Sequence, residues 1–211
     1  MPSRSKLDAC SNRYAHQITK LQTFVLVVQT PIQESGKLDV VHTLRELVTV
    51  TVVAHLEEFL NCAVGLAAFH REEEFRDFLA AHGNDHEKAV SATCNLGELM
   101  LFARRRISFK ERAKKLDRIC QFLFQASPWP DEDTQRYLLD LVRVRNIIVH
   151  DGGWPTEQHA RDVETPGVIV PSNKFFWKLN LDQFIGPALA AAAMVGVTLT
   201  NVFQQHPKFK L

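Results

Sequence analysis

Arg145, Asn146 and His150 form a strongly polar trio at the end of an otherwise apolar run from Tyr137 to Val149, and Asp151, Gly152 and Gly153 follow directly. A guanidinium among apolar neighbours requires an anion, supplied by the protein itself or by a ligand. An imidazole takes or gives a proton near neutral pH, because its unperturbed pKa lies there. The chemistry open to these residues is therefore to hold an anion and move a proton beside it.

The element that must position them is a helix. The glycine pair stops it, because only glycine enters the left-handed conformation freely. Its start follows the break at Ser127-Pro128-Trp129-Pro130, with Asp131 or Asp133 as the capping residue. At about 100° per residue, Leu138, Leu141, Val142, Ile148 and Val149 fall on one apolar arc with Arg145 in its middle. Asn146 and His150 lie one turn apart on a common face, with Arg143 on the same stripe. Val144 and Ile147 make the remaining sides apolar, which predicts cover on several sides, from the chain's own bundle or from a second subunit. A purely structural role stands beside the chemical one: Arg145 pairs with a buried acid, Glu57 or Glu58, and His150 caps the last carbonyls.

The rest of the chain also patterns as helix. Apolar spacing predicts helices over residues 14–29, 38–69, 72–81, 87–102, 108–125 and 181–203. Val48-Thr49-Val50-Thr51-Val52 alternates like a strand, but both flanks are helical and decide the segment. Ser108 with Glu111 forms a capping box. Prolines and Gly167 exclude a long helix over residues 151–180, where Val168-Ile169-Val170 and Phe175-Phe176-Trp177 flank a turn at residues 171–174 and suggest a hairpin. The expected architecture is all-α: one helical bundle over residues 1–211, with a flexible tail at 1–13 and a small extended or hairpin insertion at 151–180.

Composition narrows the function classes only a little. The chain has 211 residues and a formal net charge of +1, so global charge gives no sign of nucleic acid. Cys10, Cys62, Cys94 and Cys120 are widely spaced and read as reduced core thiols, which points to the cytoplasm. No signal peptide pattern follows Met1. Residues 184–203 are uncharged and long enough to span a bilayer, but Gly186, Pro187, Thr198, Thr200 and Asn201 favour a buried core helix and no membrane.

The segment from Leu138 to Gly153 resembles the signature helix of HEPN domains, the higher-eukaryote and prokaryote nucleotide-binding group. The family pattern is an arginine, commonly a polar residue next, and a histidine after four intervening positions; Arg145, Asn146 and His150 match it position for position. The resemblance implies an all-helical bundle, frequently a homodimer that joins two motifs in one composite cleft. It implies a metal-independent endoribonuclease, often a toxin, phage-defence or stress effector, held by an antitoxin or other regulatory protein. Other members are non-catalytic, and a module that dimerises and binds a nucleotide or protein is the alternative. Some toxins of the family carry a modifiable tyrosine two positions after the histidine; here that position is Gly152.

Under this resemblance His150 serves as acid or base, Arg145 as phosphate clamp and Asn146 as orienter, with Arg143, Glu57 and Glu58 in support. RNA is the expected partner, and no cofactor or metal is required. A basic run of Arg104, Arg105, Arg106, Lys110, Arg112, Lys114 and Lys115, continuing to Arg118, could track a phosphate backbone or be a solvated helix face. His70 to Glu74, and His82, Asp85 and His86, offer metal-type side chains without a metal-binding spacing. Trp129, Trp154 and Trp177 read as packing anchors.

Overall fold

In the computed structural model the residues described are 4–34, 36, 38–99, 117–118, 120–122, 125–150, 163, 168–169, 178–179 and 181–205. Two long helices come first, α1 (Arg4–Glu34) and α2 (Leu38–His70), then α3 (Glu72–His82) and α4 (Asp85–Thr93). The motif helix α5 (Glu132–His150) follows, then strands β1 (Val168–Ile169) and β2 (Lys178–Leu179), and a π-helical turn Leu181–Ile185 that leads into α6 (Gly186–Gln205). The strands pair antiparallel, Val168 opposite Leu179 and Ile169 opposite Lys178. The protein is all-α with this small ladder inserted before the last helix. The turn expected at 171–174 lies outside the described residues.

Contacts divide the chain into two compact units, the first Met1–Arg13, Glu57–Pro130 and Gly196–Leu211, the second Tyr14–Leu56 and Asp131–Val195. In the second unit, Ile18, Val48, Val52, Val53 and Leu56 are buried, as are Leu138, Leu141, Val144 and Ile147 of α5 and Phe184, Leu189 and Val195 near the C-terminus. Two polar contacts fix elements of this unit to each other. The Tyr14 hydroxyl donates to the carbonyl of Ala192 at 2.8 Å, and Arg45 Nη1 donates to the carbonyl of Leu179 at 2.8 Å. The strand-like run at Val48–Val52 is helical, as its flanks required. Thr49 and Thr51 satisfy their hydroxyls on the carbonyls four residues back, at 2.9 and 2.7 Å, which is how threonine settles in a helix interior.

The first unit contains a tight corner between α3 and α4. Asn84 accepts from the backbone N–H of Glu87, whose carboxylate accepts from the Asn84 N–H, both at 3.0 Å. The same reciprocal cap recurs at Asn95 and Glu98. This second cap explains why the helix expected over 87–102 stops at Thr93: Asn95 starts a new turn rather than continuing the old one. Gly83 precedes the first cap, and a Cβ there would lie 2.3 Å from the Leu79 carbonyl oxygen. Only glycine fits at that distance. Arg76 then ties the corner, donating to Glu72 at 2.6 and 3.0 Å, to the Ser91 carbonyl, and to the Cys94 carbonyl at 2.8 Å.

Two expectations need correction in this unit. The tail expected over 1–13 is helical from Arg4. Its anchoring is polar, which apolar periodicity does not register: Ser11 bonds Thr200 at 2.6 Å and Asp8 accepts from Gln204 at 3.2 Å. The four cysteines are not all reduced either, because Cys10 and Cys62 form a disulfide, leaving Cys94 and Cys120 as free thiols. Two helical segments, Asp39–His70 and Gln183–Gln205, are long and apolar enough to cross a membrane by length and composition. In the second of these Phe184, Ala188, Ala192, Leu199 and Phe203 are buried.

Candidate functional site

The motif helix begins where the sequence requires. Asp131 accepts from the Thr134 N–H at 2.6 Å, and this bond holds the exposed Asp131 carboxyl below its ordinary pKa. Trp129, in the preceding break, is buried as a packing anchor. Through its middle, α5 buries Leu138, Leu141, Val142, Val144 and Ile147. The helix reaches His150, its last residue; Asp151, Gly152 and Gly153 lie outside the described residues.

The C-terminal end of α5 is not covered on all sides. Asn146, Val149 and His150 are exposed, Val149 by 47%. Val149 keeps the bearing of the buried Leu138 and Val142 but is exposed, while Val144 and Ile147 are buried. The reason is its place along the axis: Val149 stands in the last turn of the helix, beside the exposed Asn146 and His150.

Arg145 lies at the border of that strip. It is half-buried, its Nε is enclosed without a hydrogen-bond partner among the described residues, and its Nη1 donates to Asn146 Oδ1 at 3.0 Å. The stem therefore leaves through the apolar face while the end of the guanidinium reaches the surface. Among the described residues no carboxylate pairs with it. His150 is exposed, one turn beyond Asn146, with no hydrogen bond or ion pair among the described residues. Arginine, carboxamide and imidazole thus share one solvent-reachable stretch of a single helix end.

The supporting residues divide differently from the sequence reading. Arg143 does not join the trio; its Nη1 reaches back to Asp140 Oδ1 at 2.5 Å. Asp140 is wholly buried at 0% exposure, so the ion pair compensates a carboxylate inside the unit. Asp140 is the functional-looking residue that the sequence reading missed, although its spacing three residues before an arginine was a visible signal. Neither Glu57 nor Glu58 is a buried acid. Glu57 is half-buried and Glu58 exposed, and Glu58 faces Arg13 at 3.7 Å in the first unit. The pairing proposed for them as a structural role of Arg145 was based on burial that they lack.

Arg104, Arg105, Arg106, Lys110, Arg112, Lys114 and Lys115 lie outside the described residues, as do Trp154 and Trp177. Arg118 is exposed. Among the described residues no group of three or more His, Cys, Asp or Glu side chains is arranged to hold a metal ion. His82 instead packs against the rings of Phe78 and Phe122, with centroids 5.3 and 6.0 Å away, and Arg71 pairs with Glu74 at 3.0 Å. An apolar groove in the second unit, lined by Phe24, Val25, Val28, Val41, Leu44 and Ile185, contains no titratable group apart from Arg45 at its edge. It offers no acid–base chemistry.

No protein-family model, curated protein or solved structure matches the chain.

Proposed function

We propose that the chain is a metal-independent endoribonuclease of the HEPN kind, with Arg145, Asn146 and His150 as its catalytic residues. The observation that carries the reading is the hydrogen bond from Arg145 Nη1 to Asn146 Oδ1, 3.0 Å long, with no carboxylate paired to the guanidinium among the described residues. Intramolecular neutralisation would leave nothing for a phosphate to bind. A carboxamide instead orients the fork while leaving its charge available to an incoming anion.

The ribose 2′-OH attacks the adjacent phosphorus, closing a cyclic phosphodiester and expelling the 5′-oxygen of the next nucleotide. His150 takes the 2′ proton or supplies one to the leaving oxygen. Arg145 holds the non-bridging oxygens as negative charge gathers on them. One imidazole cannot begin a turnover both neutral and protonated, so two copies of the motif meeting in a homodimer suit the chemistry best. The basic run from Arg104 to Lys115 provides, in sequence, the charge to draw in an RNA backbone.

The test is RNA cleavage by purified protein in EDTA, beside the His150→Ala variant. Products ending in a cyclic phosphate from the wild type alone support the reading. Equal cleavage by both proteins would sink the assignment, and tight nucleotide binding with no cleavage by either would replace it with a binding module.

A further inference from the structure

The N-terminal turns of α1 are held in an unusual way for a helix. Before Tyr14, none of the described side chains of α1 is buried. Among these described side chains, none supplies the buried apolar area that normally fixes a helix. Its polar anchors among the described residues are Ser11 to Thr200, Asp8 to Gln204, and the pair Arg13–Glu58, whose side chains are 72% and 58% exposed. An ion pair so exposed contributes little. Beside these stands a covalent tie, the bridge from Cys10 to Cys62 across 52 residues of chain.

We propose that Cys10 and Cys62 form a reversible dithiol–disulfide site, closed by a small disulfide of the glutathione class and reopened by a dithiol, that latches the start of α1 within its unit. This inference is independent of the nuclease reading. Both cysteines are half-buried, so a small thiol reagent can reach them when they are reduced. The competing thiols are less suited. Cys120 is buried, and burial together with the nearby Asp117 carboxylate pushes its thiol well above the ordinary range, which keeps it protonated and unreactive. Cys94 has no thiol partner, being one of the two cysteines left free.

The exchange balances without other reagents. A thiolate of one cysteine attacks a sulfur of glutathione disulfide, forming a mixed disulfide and releasing one glutathione thiolate. The second cysteine attacks the protein sulfur of that mixed disulfide and releases the second. Two electrons pass from the protein pair to the small disulfide, and the two glutathione thiolates take up the protons. The bridge then limits how far α1 can open from its first turns, because a cross-link over a long loop removes open states from the ensemble.

The experiment compares the full-length protein after equilibration with glutathione disulfide or with dithiothreitol. Alkylation followed by peptide mass measurement should show Cys10 and Cys62 protected only in the oxidised sample, as a single bridge. Trypsin cleavage after Lys6 and Arg13 should be several-fold faster in the reduced sample, because cutting within a helix requires local opening. The reduced sample should also melt lower, by on the order of 10 °C. Cys10→Ser should cleave at the reduced rate in both buffers; the wild-type comparison decides the matter if that variant folds poorly. Alkylation of Cys10 and Cys62 in the oxidised folded protein, glutathione adducts in place of the bridge, or cleavage indifferent to redox state would each overturn the proposal.

Discussion

Arg143 and Asp140 form an ion pair one turn apart on α5, with the carboxylate wholly buried and the guanidinium 34% exposed at the side chain. Two arginines two positions apart on the same helix therefore serve opposite purposes. Arg143 is committed to an internal acid, while Arg145 is joined only to the neutral carboxamide of Asn146 among the described residues. The difference separates a structural role from a chemical one and gives each its own test.

Arg143→Ala should destabilise the protein by about 2–3 kcal/mol, because it leaves the buried Asp140 charge without its guanidinium. Asp140→Asn in the same background should recover part of that loss by removing the charge. Chemical denaturation of the two single variants and the double variant measures the coupling. Additive effects would show that the pair does not act as a unit.

His150→Ala should lower RNA cleavage by about a hundred- to ten-thousand-fold, the span of general acid–base catalysis. Since His150 is exposed, folding stability should change by no more than about 0.5 kcal/mol. Arg145→Lys keeps the charge but loses the planar fork, and should reduce cleavage while leaving the melting temperature in place. Cleavage rates and melting curves on the same preparations separate lost chemistry from lost folding.

Alkaline pH should unfold the protein through Tyr14. Burial pushes the phenol of Tyr14 far above its ordinary value, while the unfolded chain titrates near pH 10. The folded state thus holds a proton that the unfolded state releases, so this stabilisation is whole below about pH 10 and falls as pH rises beyond it. Tyr14→Phe should lower stability at neutral pH by about 1 kcal/mol through loss of the bond to Ala192. It should also flatten the alkaline decline, leaving the contribution of Cys120, whose thiol is displaced in the same direction. A denaturation series from pH 7 to 11 on both proteins reads the difference.

Asp131 works in the other direction. Its carboxyl is held below the ordinary range by the Thr134 N–H, so its contribution is present above that range and disappears as pH falls through the depressed value. Protection of the Thr134 amide, its exchange measured against the intrinsic rate at each pH, should fall in acid, and Asp131→Ala should show the lowered protection already at neutral pH.

The helices with sustained apolar spacing are legible in the sequence alone. Within α2, the strand-like threonines were decided correctly by their flanks, and α5 starts at the cap and reaches the histidine that its pattern indicated. Boundaries governed by polar side chains were not legible from periodicity. The first turns of α1 are held by Asp8, Ser11 and Cys10, and the break before Asn95 by a reciprocal cap. Pairing of Cys10 with Cys62 joins distant parts of the sequence, and spacing alone cannot specify such a partner. At the site, the trio was legible as residue types at a helical interval. The division of labour between Arg143 and Arg145 was not, because it depends on where Asp140 lies when the helix packs.

The corner at Gly83 has a consequence for how the first unit can vary. A single hydrogen there acts as a spacer, setting how closely the chain leaving α3 can pass the start of α4. Any larger residue would push those segments apart and pull Arg76 away from the Ser91 and Cys94 carbonyls it spans. Sequence drift can thus reach the solvent-facing side of either short helix with little effect, while the junction between them tolerates almost none.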